Sequence, residues 1–376
     1  MQRVVVLGAG MVGSAIAAGL ARQYEVTVVD RSPERLALAA RLAPMLTRAL
    51  DLSRTEVVKD ACRGFDLAVG AVPGFMGYAT LRAIIEAGVN AVDISFFDED
   101  AFSLDQVARE SGVTAIVDCG VAPGLSHMVQ GYHAPRMQVD RYRCLVGGLP
   151  ENPAPPWYYK APFSPVDVLE EYTRPARLME GGKLVSKPAL SDPELVELPP
   201  VGVLEAFNTD GLRSLLRTFP APDMVEKTLR YPGHIDRIRV LRDAGLMGSE
   251  PILVGGCAVQ PLDVTAAMLI PQWRLEPGEA EFTIMEVVVE GVESGDRVRH
   301  TYRLHERTDV EAGISSMART TGYTCTAAAN LVLEGRFAEP GVSPPELVAA
   351  RPGLFERILV HLAERQVKVT HEASVL

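Results

Sequence analysis

The segment Gly8-Ala9-Gly10-Met11-Val12-Gly13 constrains this chain more than any other feature, because of what stands on either side of it. Ahead lies Arg3-Val4-Val5-Val6-Leu7, a β-branched run that reads as a short buried strand. Behind lies Ser14-Ala15-Ile16-Ala17-Ala18-Gly19-Leu20, which has helical character. Glu25-Val26-Thr27-Val28-Val29-Asp30 then reads as a second strand, closed by an acid about 20 residues beyond the first glycine. A glycine-rich turn between a strand and a helix, with that acid downstream, predicts a dinucleotide-binding βαβ unit.

Each residue has its own physical task. Gly8 allows the tight turn, Gly10 leaves out the Cβ that would block a pyrophosphate, and Gly13 lets the helix close on the sheet. The unpaired N–H groups of the first helical turn, at Met11 and Val12, favour an anion. Asp30 is expected to accept from both adenosine ribose hydroxyls and to repel a 2′-phosphate, so the pattern predicts NAD, with NADP the weaker candidate. Arg31 either offsets a phosphate or stacks on adenine.

The alternation continues. Residues 33–43, 54–62, 74–87 and 103–111 read as helices, the first capped by Ser32 with Pro33 in its first turn. Residues 66–71, 88–93 and 113–117 read as strands between them. Such a sequence of elements predicts an α/β fold with a Rossmann, doubly wound parallel sheet, whose ligands gather at the carboxyl ends of the strands. Those ends include Val72 and Pro73, expected beside the nicotinamide, and Asp93 and Asp118. Asp51 either reaches the adenine edge or caps the following helix.

After Gly124 the pattern changes. Residues 138–148 alternate loosely, a proline-rich stretch covers 152–156, and two β-rich runs at 280–290 and 297–305 flank Gly291–Asp296 as a hairpin. Residues 314–335 and 354–365 return to helix. We therefore expect three parts: a dinucleotide-binding domain over 1–125, a mixed-sheet α+β domain for substrate binding and oligomerisation over 126–312, and terminal helices over 313–376 that return to the first domain.

Composition excludes several other classes. Lys plus Arg is 37 against 48 Asp plus Glu, for a formal charge of -11, which opposes binding to nucleic acid or anionic lipid. No apolar stretch is long enough to span a membrane, and the N-terminus reads as a strand, not a signal peptide. Five scattered cysteines without a C-x-x-C predict neither a disulfide framework nor a zinc site, and point to a reducing, cytoplasmic setting. His127 and His133, six apart on one helix, do not share a face, so no metal site is expected there, and His300 and His305 read as surface residues.

Further segments extend the pattern beyond the glycine turn: Val92-Asp93-Ile94-Ser95, Asp118 to Ser126, Gly147-Gly148-Leu149-Pro150, Tyr159-Lys160 with Phe163-Ser164-Pro165, Glu205 to Arg213, and Thr228 to His234. With these in this order, the chain resembles the saccharopine dehydrogenase-like reductases, and among them most the lysine 6-dehydrogenase branch. The resemblance implies a nicotinamide-dependent oxidoreductase acting at a C–N bond of an amino acid. In the lysine branch the ε-carbon gives hydride to NAD, and hydrolysis releases ammonia and a semialdehyde that cyclises. Saccharopine- and carboxynorspermidine-type relatives share the motifs, as would an NAD(H)-binding sensor that kept the fold without the chemistry. A homodimer or homotetramer is implied by the same analogy.

An amino-acid substrate needs a cation for its carboxylate and an acid for its ammonium. Arg213, Arg230 and Lys160 are the candidate cations, with Tyr231 beside Arg230; Asp93, Asp118 and Asp210 are the candidate acids. Asp93 is a further candidate in the catalytic group. His234, after a Pro-Gly turn, and Lys160 are rival candidates for the base. Cys119 reads as packing, since amine oxidation needs no thiol nucleophile.

Overall fold

β1 (Arg3–Leu7) is buried along all but its first residue, as a parallel strand covered on both faces requires. The chain then alternates: α1 (Met11–Leu20), β2 (Glu25–Asp30), α2 (Pro33–Leu42), β3 (Leu46–Ala49), α3 (Thr55–Cys62), β4 (Leu67–Gly70), α4 (Gly74–Glu86), β5 (Asn90–Asp93), α5 (Asp105–Glu110) and β6 (Thr114–Ile116). The computed structural model describes residues 1–162, 165–276 and 278–376, so Phe163 and Ser164 of the family-like segment lie outside the described residues.

The middle of the chain holds α6 (Leu125–His133), β7 (Gln138–Pro150), α7 (Pro165–Thr173), β8 (Ala176–Glu180), β9 (Lys183–Lys187), β10 (Glu194–Leu198), β11 (Gly202–Asn208) and α8 (Leu215–Thr218). It continues through β12 (Asp223–Arg230), α9 (His234–Asp243), β13 (Ile252–Val254), β14 (Cys257–Val259), α10 (Pro261–Trp273), β15 (Glu281–Glu293) and β16 (Asp296–Arg307). α11 (Ser316–Leu333), β17 (Gly341–Ser343), α12 (Pro345–Ala349), α13 (Leu354–Glu364) and β18 (Val369–Val375) complete it.

The first sheet runs β17-β6-β5-β4-β1-β2-β3, parallel throughout. Its order reverses between β1 and β4, which opens a crevice at their carboxyl ends. Among the described residues the second sheet has nine strands, with β10-β11-β12-β7-β15-β16-β18 as its main path, β8 beside β12 and β9 beside β8. β7 pairs parallel with β12 and antiparallel with β15, so the sheet is mixed. A continuous cluster of buried side chains joins the two sheets, from Val6 through Met128 and Cys325 to Val287. None of the described helices is long and apolar enough to cross a membrane.

Two boundaries differ from the sequence reading. The hairpin loop is only Ser294-Gly295: Glu293 pairs with Asp296, and both loop residues have positive φ (53° and 99°), the tight turn that matches strand twist. Gly291 belongs to β15, where an added Cβ would stand 1.9 Å from the Gln138 carbonyl oxygen. Beyond the helices that return to the first domain, residues 369–375 leave it again as β18, an edge strand on β16. Val369 to Val375 is half polar, so its pairing partner is not written in a local apolar pattern.

Candidate active site

The glycine turn has the geometry that a dinucleotide needs. Gly8 sits at φ 114°, and an added Cβ would stand 2.3 Å from the Ala71 carbonyl oxygen. One at Gly13 would stand 2.2 Å from the Gly8 oxygen, whereas one at Gly10 would meet nothing within 4 Å. Gly10 therefore faces open space, and no side chain caps α1, so the N–H groups of Met11, Val12 and Gly13 remain for an anion. These residues fit a pyrophosphate. Asp30 is buried, and its two oxygens accept from the N–H groups of Ala9 and Ser32, both at 2.8 Å. Two backbone donors thus fix the carboxylate while leaving it further acceptor capacity.

Arg31 is exposed. Asp51 neither caps α3, whose N-cap is Arg54, nor is buried; it accepts from the Ser53 N–H at 3.1 Å. That bond, with Arg31 and Arg54 nearby, holds its carboxyl below the usual range. Val72 is buried and Pro73 is the N-cap of α4, which also lacks a side-chain cap. An added Cβ on Gly74 would stand 2.3 Å from the Phe96 carbonyl oxygen, so α4 begins hard against the loop after β5.

Residues of the second sheet and its loops close over that loop. Arg174 pairs with Asp98 and lies 4.8 Å from the Phe96 ring, and Arg213 lies 4.4 Å from the same ring. Arg213 Nε donates to Asp118 Oδ2 at 2.8 Å, and both side chains are more than nine-tenths buried. Asp118 and Arg213 both hold left-handed backbone, at φ 51° and 39°, a conformation that persists only where surrounding structure enforces it. Asp118 Oδ1 is buried with no hydrogen-bond partner among the described residues.

Asp93 is fully buried beside this pair. Its Oδ1 accepts from the Ser95 N–H at 2.7 Å, and its Oδ2 would collide with any Cβ at Gly70. Burial pushes its carboxyl up to about 8, against the Ser95 bond, with the charge of Asp118 adding to the shift. Cys119 is buried next to it and donates to the Thr324 carbonyl, a packing role.

Other expected residues have partners elsewhere. Asp210 accepts from Arg177 through Nε at 2.9 Å, Nη2 at 2.8 Å and the backbone N–H at 3.0 Å, which ties the loop after β11 to β8. Arg230 donates to Glu171 at 2.6 Å, Tyr172 at 3.0 Å and the Leu229 carbonyl at 2.9 Å, and stacks 4.3 Å from Tyr159. Tyr172 in turn donates to His234 Nε2 at 2.9 Å, and His234 Nδ1 donates to the Trp157 carbonyl at 2.8 Å. Both imidazole nitrogens are thus occupied in a fully buried ring, which burial and then Arg230 depress to about 3. His234 closes an interior chain and leaves no nitrogen for a base. Lys160 donates to the Arg274 carbonyl at 3.1 Å and pairs with Glu279 at 3.6 Å, at the end of α10. Tyr231 donates to the Pro150 carbonyl at 2.9 Å, joining β12 to β7.

Glu226 on β12 was not singled out by sequence. It is buried, and its side chain makes no hydrogen bond or ion pair among the described residues. An added Cβ on Gly211 would stand 1.4 Å from its Oε2, so Gly211 exists to admit this carboxyl. Burial pushes it up to about 8, with Glu171 and Asp210 adding and Arg213 opposing. The sequence carried little signal for it, since β12 reads Asp-Met-Val-Glu-Lys-Thr-Leu-Arg and Glu226 is one of several charged residues in it.

The histidines are arranged differently from the sequence expectation. His127 accepts from the Gly124 N–H through Nδ1 at 3.1 Å and donates to the Leu212 carbonyl at 3.0 Å. His300, expected at the surface, is buried, because β18 covers β16 and brings His371 beside it with His133. His305 is half-buried.

Comparison with known proteins agrees with this architecture. Residues 4–116 match the family model for the saccharopine dehydrogenase NADP binding domain, and residues 120–367 match that for the saccharopine dehydrogenase C-terminal domain. The chain is 23% identical to the saccharopine dehydrogenase (NADP(+), L-glutamate-forming) of Pyricularia oryzae, over 85% of this chain and 88% of the relative. It is 25% identical to the mitochondrial alpha-aminoadipic semialdehyde synthase of Mus musculus over 66% of this chain, and that match spans only 29% of the relative. Among solved structures, apo saccharopine dehydrogenase (L-Glu forming) from Saccharomyces cerevisiae aligns over 100% of both chains with a TM-score of 0.82 at 19% identity, a likeness of fold. With both of its halves matched, the chain belongs to the saccharopine dehydrogenase family.

Proposed function

We propose that this protein is a nicotinamide-dinucleotide-dependent oxidoreductase acting at a C–N bond of an amino acid, and that its substrate is L-lysine, oxidised at the ε-amine. The carrying observation is the Asp118–Arg213 pair. Asp118 keeps one buried oxygen free, and Arg213 uses only Nε in hydrogen bonding among the described residues. The pair therefore offers an acceptor to an ammonium and a donor fork to a carboxylate, side by side, which is the charge pattern of an α-amino acid.

The reaction takes lysine, oxidised dinucleotide and water to 2-amino-6-oxohexanoate, ammonium, reduced dinucleotide and one proton. When bound, the dinucleotide supplies a hydride acceptor. The chain's own residues do the rest. Gly8, Gly10, Gly13 and the start of α1 would hold the pyrophosphate, Asp30 the ribose, and Val72 and Pro73 the nicotinamide end. Glu226, with its carboxyl near 8, takes a proton from the substrate ammonium.

A second reading, saccharopine as substrate, is favoured by the names of the relatives. Lysine is favoured by the cation inventory: Arg177, Arg174 and Arg230 are already paired with Asp210, Asp98 and Glu171, so additional substrate carboxylates find few unpaired partners. For the cofactor, Asp30 supports NAD; the family-model description and Arg31 with Arg54 support NADP. We also propose that copies of the chain associate through the β13–β14 hairpin and α10, where Ile252, Leu253, Val254 and Met268 are each exposed.

The test is turnover by the full chain, followed at 340 nm with each amino acid against NAD and NADP. Ammonia release with lysine supports the proposal. Turnover of saccharopine alone, with release of glutamate, replaces it with the second reading. Dinucleotide binding without turnover of any amine marks a sensor.

A further inference from the structure

We propose that His133, His300 and His371 form a site for a divalent transition-metal ion of the zinc type, which clasps the C-terminal strand to the body of the protein. One ring nitrogen from each lies within 4.8 Å of the others. The three come from distant segments: the last residue of α6, the middle of β16 and the middle of β18. Register explains the meeting. Tyr302 stands opposite His371, and His300 lies two residues from Tyr302 on the same face of β16.

The hydrogen bonds around the cluster leave lone pairs where a metal needs them. His300 Nε2 faces the Glu293 carboxylate at 3.2 Å, so its proton is held there and Nδ1 carries the lone pair. That Nδ1 accepts from His371 Nε2 at 3.0 Å, so His371 carries its proton there without an ion and frees this nitrogen by moving the proton to its own Nδ1 when an ion binds. A carboxylate on the far nitrogen of a ligating imidazole is the outer contact that fixes tautomer and raises ligand basicity. His133 gives Nε2 to the Tyr302 hydroxyl at 2.9 Å, and its Nδ1 is buried with no partner among the described residues. His133 is 2% exposed, so water does not readily satisfy this nitrogen.

Charge favours the same occupant. Glu293 and Glu356 outnumber Arg136 as charges around Tyr302. An all-imidazole set selects zinc, copper or nickel over magnesium or calcium, which need oxygen ligands. His371 is exposed and gives the ion an entry path. Three protein ligands leave a fourth position to water.

The site stands apart from the proposed chemistry. His133 ends α6, whose first residue Leu125 follows Asp118 by seven residues, and eight residues of helix separate Leu125 from His133 by about 12 Å. The ion would join an edge strand to β16 and to α6, so its expected effect is on stability and on the C-terminal strand.

The experiment uses full-length protein stripped with chelator and titrated with Zn2+ by calorimetry and thermal unfolding, and with Co2+ by visible absorption. We expect one ion per chain and a Tm rise of a few degrees at saturating Zn2+. With Co2+ we expect d–d bands free of thiolate charge transfer, which separates this site from the exposed Cys257. His371→Ala, on the surface of an edge strand, should abolish both the binding and the metal-induced Tm rise. The comparison is the shift on adding metal within each protein, so a change in metal-free stability does not blur it. Absence of binding to the wild type, a thiolate band, or an undiminished shift in His371→Ala would each overturn the proposal.

Discussion

Arg213 Nε lies 2.8 Å from Asp118 Oδ2, joining a loop of the mixed sheet to the carboxyl end of a strand in the parallel sheet, with both residues in left-handed backbone. Two strained residues and a buried ion pair are costly features for a mere tether. Arg213→Lys keeps the charge and loses the planar fork. Steady-state kinetics should show the amino-acid KM rising about tenfold, the scale of one charged hydrogen bond, while dinucleotide Kd stays within twofold. A fall in dinucleotide affinity with KM unmoved would place Arg213 on the cofactor side.

Glu226 predicts a pH signature. Its ionised form accepts the proton, so kcat/KM should climb about tenfold per pH unit up to about 8 and then level. Glu226→Gln should remove that limb along with most of the activity. The sign for stability is opposite. The folded-state pKa is raised, so the wild type loses stability as pH rises from the unfolded value near 4.5 to about 8. Urea unfolding should therefore show Glu226→Gln gaining on the wild type across that window, by at most roughly 1.4 kcal/mol per pH unit. Parallel urea curves at pH 5 and pH 9 would contradict a buried, strained carboxyl.

Asp30→Ala tests the ribose assignment. Loss of a charged hydrogen-bond acceptor should lower kcat/KM for NAD by about tenfold or more. NADP should suffer less, because the repulsion on its 2′-phosphate also disappears. Since Asp30 holds the Ala9 and Ser32 N–H groups, affinity for both cofactors will fall; the informative quantity is their ratio. An unchanged ratio removes Asp30 as the determinant.

Arg230→Met should act on stability. The substitution strands Glu171 and Tyr172 in the interior, and breaking such a pair costs about 3–5 kcal/mol. Chemical denaturation should show this loss, with the amino-acid KM of the folded enzyme within about twofold of wild type. A large rise in KM would return Arg230 to the substrate.

Leu253, in the middle of β13 on the β13–β14 hairpin, is 80% exposed. Leu253→Asp should lower the sedimentation coefficient from an oligomer toward that of the monomer. If wild type and variant sediment alike, copies do not meet on this face.

Local pattern made the first sheet readable. Val4 to Leu7 are apolar on consecutive residues because both faces of β1 are covered, and Pro33 after Ser32 marks a helix start with no help from the fold. The mixed sheet was less readable. Val369-Thr370-His371-Glu372 carries no apolar alternation, and only the exposed edge of β16 makes it a strand. In the site, the glycine turn and Asp30 were legible because their geometry is set within about 30 residues of chain. Arg230, His234 and Lys160 were not, because a motif names a residue type without naming its partner.

Read alone, the sequence determined the glycine turn, the strand–helix alternation and the family, since each depends on contacts between near neighbours in the chain or on order along it. The tertiary structure decided which charges are spent and which are free. Asp210 and Arg230 are saturated by Arg177 and Glu171, Asp118 keeps an oxygen, Glu226 keeps a carboxyl, and three histidines from residues 133 to 371 converge. The reason is physical: a buried charge takes its pKa and its availability from whatever the fold brings within a few ångströms, and those neighbours lie dozens to hundreds of residues away in the chain.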